Sequence, residues 1–265
     1  MPADPAPYPL WIEVAGREQR SGYVLEHVTF NSVTGEPLAG ALALPDGSSK
    51  KPAVLLLGEH AAEHPAREAE KLDQLAREGN IVFAPELPPG RQGHEEQKSE
   101  LLGPFYLPSL RVQLVGETLV GLRVNEILRC VNWLSVRPDV DGSKISGRAS
   151  EAMGIALLHA AVLEPRIESV TLERTLLSYR AAINAPLPEN LAQNVIPGVV
   201  QRYDLDDLMV ALAPRPVTLI EPVDGEGHSV DPHDALAWVL ATDRVLGIAG
   251  RVNLAASEPD IPPTR

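Results

Sequence analysis

Three short runs without a charged residue constrain this chain more than any other feature: Ala53-Val-Leu-Leu-Leu57, Ile81-Val-Phe-Ala84 and Pro216-Val-Thr-Leu-Ile220. A strand that is apolar along its length has both faces covered. Helical patterns lie between these runs. Residues 67–78 place Leu72, Leu75 and Ala76 inward and stop at Gly79, and Leu110 to Val136 reads as one long helix. Residues 205–212 follow a fair N-cap, Asp204, and 232–246 read as another helix. Ile167–Leu172 and 251–255 supply further strands. Upstream, Tyr23–Phe30 alternates apolar and polar residues and, with Leu38–Leu44, makes an antiparallel hairpin around the turn at 33–37. A hairpin followed by alternating buried strands and helices predicts an α/β domain with a mostly parallel sheet covered on both faces. Ligands of such sheets bind beyond the carboxyl ends of the strands. The informative loops therefore follow residues 57, 84, 147, 172 and 220.

The expected organisation is a loose arm at 1–20 and one domain over 21–258, with insertions near 91–109 and 174–203 and a tail at 259–265. Composition narrows the partners. A formal net charge of −13 with no basic cluster argues against nucleic acid. The single cysteine, Cys130, excludes an intramolecular disulfide framework and falls in an apolar helical pattern, which suits a buried structural thiol. No run approaches the ~20 apolar residues of a membrane span. Residues 1–7 have neither a basic nor an apolar signal region, so a cytoplasmic location is expected, with a trimmed signal left open.

Residues 144–163 carry the chemistry. Lys144-Ile-Ser-Gly147 reads as a buried strand and Ile155 to Leu163 as an apolar helix, joined by a tight turn with Ser150 and Glu151. Strand, turn with a hydroxyl, then helix is the frame of a nucleophile elbow. The usual Gly-x-Ser-x-Gly is altered, because Arg148 and Ala152 flank Ser150.

The order of parts resembles the α/β-hydrolase superfamily, in particular its acetyl-xylan-esterase and dienelactone-hydrolase-like branch. The stretches that carry the resemblance include Lys51 to Gly58, Arg77 to Leu87 and Trp133-Leu-Ser-Val-Arg-Pro-Asp-Val-Asp141. They continue in Leu158 to Ile167 and Tyr203 to Asp224, within a match over roughly residues 23–256. The resemblance implies an α/β-hydrolase fold and a serine carboxylic-ester hydrolase acting on acetyl or other short-chain esters. It implies a nucleophile at the elbow, an acid after the strand ending at Ile220, and a histidine after the last strand. Two backbone N–H groups would form the oxyanion hole. A small-molecule ester is the expected partner. No cofactor or metal is implied, and homo-oligomerisation is left open.

Ser150 is the hydroxyl in the turn, yet measured back from His159-Ala-Ala161 the family serine falls at Glu151. Ser150 is thus either the nucleophile or a cap for the helix at 151–163. Asp224 is the first acid and Glu173 the alternate. Their plain readings are a turn aspartate before Gly225 and a surface residue paired with Arg174. No histidine follows His233, so the base falls to His228 in Gly225-Glu-Gly-His-Ser229. His159 reads as a satisfied core histidine. The N–H groups of Glu151 and Glu59 are the oxyanion candidates. His60-Ala-Ala-Glu-His64 matches a zinc motif, but that motif needs a helix and this run directly follows a strand before Pro65. The competing class is a hydrolase scaffold without catalysis, acting in binding or assembly.

Overall fold

The computed structural model describes residues 10–58, 65–90, 103–189, 191–231, 233–235, 237–238 and 252–255. Nine strands form one sheet. In chain order they are β1 (Ile12–Arg20), β2 (Tyr23–Asn31), β3 (Pro37–Pro45), β4 (Lys51–Leu57), β5 (Ile81–Pro85), β6 (Val140–Ser150), β7 (Ile167–Glu173), β8 (Val217–Ile220) and β9 (Val252–Ala255). Their spatial order is β1-β2-β3-β5-β4-β6-β7-β8-β9. The expected hairpin is β2–β3, antiparallel from Tyr23↔Pro45 to Asn31↔Pro37. From β5 onward every pairing is parallel.

The helices are α1 (Pro65–Arg77), α2 (Tyr106–Leu114), α3 (Leu119–Val136), α4 (Glu151–Leu163), α5 (Tyr179–Asn184), α6 (Leu191–Asn194) and α7 (Leu205–Ala211). On one face, Leu72 and Ala76 of α1 pack with Tyr23, Leu25, Ala43, Leu56 and Val82. On the other, α3, α4 and α7 bury the larger core around Leu55, Leu57, Phe83, Ile145, Ala149 and Leu172. Helix α4 is apolar nearly all round, and Ala152 through Leu158, Ala160 and Ala161 are buried. The α4 backbone passes so close to Thr175 that a side chain at Gly154 would collide with the Thr175 hydroxyl.

Two expectations are corrected. The arm does not extend to residue 20, because Ile12–Arg20 is an edge strand paired with β2. Its alternation was hidden by polar residues and by a register shift between Val14 and Gly16. The single helix over 110–136 is two helices. Gly116 takes a left-handed φ of 83° after α2, and Thr118 then caps α3 by accepting from the Gly121 N–H at 2.9 Å. The 174–203 stretch contains α5, α6 and a 3-10 turn at Val199–Gln201. Asp204 does cap α7, in a capping box with Asp207. Most of the 91–109 insertion, the first residues of the arm, the tail and most of the helix expected at 232–246 lie outside the described residues.

Candidate active site at the carboxyl edge

Strands β6, β7 and β8 lie side by side, and each runs directly into a left-handed residue that is not glycine. These residues are Glu151 (φ 54°), Arg174 (φ 47°) and Glu221 (φ 46°). Such a conformation costs roughly 1–2 kcal/mol for an L-residue. Strain of this kind clusters where a fold positions groups for function. The turn from β6 into α4 therefore has Glu151 at its tip. Ser150, one residue earlier, is still extended (φ −113°, ψ 149°), and its side chain makes no capping hydrogen bond to α4. With Glu151 at the tip, the two positions that an elbow fills with glycine hold Ala149 and Met153, both buried. Glu151 is also the first residue of α4, where the positive end of the helix dipole favours a carboxylate.

Beneath this turn, on the α1 face of the sheet, is a group of charges. Ser150 is in register with Glu173 of β7, and alternation puts Arg148 on the same face. Glu173 is buried. Its Oε2 lies 2.5 Å from Lys71 Nζ of α1 and 3.7 Å from Arg148 Nη2. One turn before Lys71, the Glu68 carboxyl lies over Gly58 at the end of β4, 2.5 Å from where a Cβ would stand. Glu173 is thus held by Lys71 and Arg148, in place of the surface pairing with Arg174 that its neighbour suggested. Arg174 instead reaches the Gly227 carbonyl at 3.4 Å.

The loop after β8 carries Asp224 and His228. Asp224 Oδ1 accepts from the N–H groups of Glu226 (2.9 Å) and His228 (3.0 Å), so the carboxylate closes its own turn. Its Oδ2 is 3.7 Å from His228 Nδ1, beyond a hydrogen bond, and the His228 side chain is 74% exposed. The Val223 N–H donates to the Thr175 carbonyl, the Leu177 N–H to the Val223 carbonyl, and the Glu189 N–H to the Gly225 carbonyl. The loop is therefore fastened to the 175–189 segment. Glu59 and the whole His60–His64 run lie outside the described residues.

His159 is the satisfied core histidine that the sequence suggested. The Ile155 carbonyl, 2.8 Å away, can only accept, so Nδ1 carries the proton, and Nε2 accepts from the Tyr203 hydroxyl at 3.0 Å. Burial pushes its pKa down, against the smaller upward pull of that carbonyl. Burial likewise drives the Cys130 thiol well above its usual range, which makes it inert. Among the described residues no helix is long and apolar enough to cross a membrane.

Lys71, Arg148 and Glu68 lie beneath the turn, and sequence reasoning gave them no role. Arg148 did leave a signal: a cation inside a covered parallel strand must have a partner. Lys71 left none, since it reads as an ordinary charged position of an amphipathic helix.

No family model and no curated protein matches the chain. Solved structures do. A protein assigned as an acetyl xylan esterase from Bacteroides fragilis superposes with a TM-score of 0.72 at 18% identity, covering 97% of this chain and 72% of that one. An acetyl xylan esterase from Paenibacillus sp. R4 gives 0.64 at 14% identity, over 95% and 83% of the two chains. A protein assigned as a dienelactone hydrolase from Klebsiella pneumoniae gives 0.58 at 16%, over 90% and 87%. Together with the sheet order, its antiparallel start and the strand–turn–helix at Glu151, these matches show that the chain has the α/β-hydrolase fold.

Proposed function

We propose that this chain uses the hydrolase frame for binding or assembly, with a carboxylic ester as the ligand class, and does not carry out serine-type hydrolysis at its elbow. The observation that carries this reading is the left-handed Glu151 at the tip. A carboxylate there that attacked an ester would give a mixed anhydride, and a neighbouring base would have no proton to take from it. Likeness to esterases supports the ligand class.

A second reading keeps catalysis. Ser150 attacks the acyl carbon, His228 acts as base and then acid, and Asp224 orients it, with N–H groups of Glu151 and near Glu59 binding the oxyanion. The specific support is the 3.7 Å approach of Asp224 and His228 in the loop after β8. Labelling with a fluorophosphonate probe, alongside turnover of a short-chain aryl ester, separates the two readings. Folded protein that takes no label and shows no turnover above a Ser150→Ala control supports the binding reading. Labelling at Ser150, with turnover lost in Ser150→Ala, overturns it.

A further inference from the structure

We draw no further inference here: the strongest candidate, the exposed apolar patch of Leu110 and Leu114 on α2 with Val115 just beyond it, carries nothing because nothing in the structure shows what covers it.

Discussion

Removing the Glu173 carboxylate, while leaving Lys71 and Arg148 in place, should be among the most damaging single changes in the sheet. The side chains of Lys71 and Glu173 are only 11% and 8% exposed, and that of Arg148 15%. At an effective dielectric of ~20, a unit pair at 2.5 Å attracts by about 7 kcal/mol and one at 3.7 Å by about 4–5 kcal/mol. Desolvation of the three ions, at several kcal/mol each, offsets most of this. The pair therefore adds little net stability, but a partner left alone is expensive. Breaking a buried pair costs about 3–5 kcal/mol. Glu173→Leu should reach the upper part of that range, because both Lys71 and Arg148 lose the carboxylate they face. Lys71→Met should reach the lower part, because Arg148 still faces Glu173. The triple variant Lys71→Met, Arg148→Met, Glu173→Leu should lose less than Glu173→Leu alone, since the two cations that faced the lost carboxylate are removed with it. Denaturant unfolding monitored by circular dichroism reads these differences from the midpoint at constant slope. A loss below about 1 kcal/mol in Glu173→Leu, together with a Lys71–Glu173 coupling below about 0.5 kcal/mol, would show that water reaches the cluster and would refute the reasoning.

Three further outcomes follow from the buried polar groups. His159 titrates below its unfolded value, so the unfolded chain takes up the proton first. Its contribution is therefore complete above about pH 6.5 and is lost as pH falls toward the folded pKa. Stability followed from pH 7 to 5 should drop less steeply in His159→Gln than in the parent, and an unchanged slope would contradict the burial argument. Asp204 is fully buried and accepts from Ser178 Oγ (2.7 Å) and from the N–H groups of Tyr179 (2.6 Å), Arg180 (3.2 Å) and Leu205 (2.8 Å). Asp204→Ala strands donors at the starts of both α5 and α7 and should lower stability by about 3 kcal/mol or more, with Asp204→Asn intermediate in thermal melts. Among the described residues the buried Tyr179 hydroxyl has no hydrogen-bond partner. Tyr179→Phe should be neutral or stabilise by up to about 1 kcal/mol, whereas a clear loss would reveal a partner for that oxygen.

Much of the frame was legible in the chain. The runs at 53–57, 81–84 and 216–220 became β4, β5 and β8 because an apolar segment of that length must be covered on both faces. Asp204 was readable as a cap because capping is a local matter of one side chain and the next turn. The division of α2 from α3 was missed although Gly116 and Thr118 spell it locally. The apolar positions on either side keep a helical spacing, and they masked the break. At the site, only half of the arrangement could be read. Periodicity marks where a strand gives way to a helix, but it cannot decide between two adjacent residues for the left-handed position. Ser150 and Glu151 therefore both stayed open, the hydroxyl favouring the first and the spacing from His159 the second, because each is a reasonable start for a helix.

The sequence by itself determined a covered, mostly parallel sheet with an antiparallel start and an elbow-like turn near residue 150. It did so because burial of apolar runs and local capping depend on neighbours along the chain. Tertiary structure decided between Ser150 and Glu151 for the tip, since the strand register and the seating of α4 against Thr175 fix which residue bears the strain. It alone joined Lys71 to Glu173 across 102 positions of sequence, because a buried carboxylate takes its partner from whatever the packed layers bring within reach.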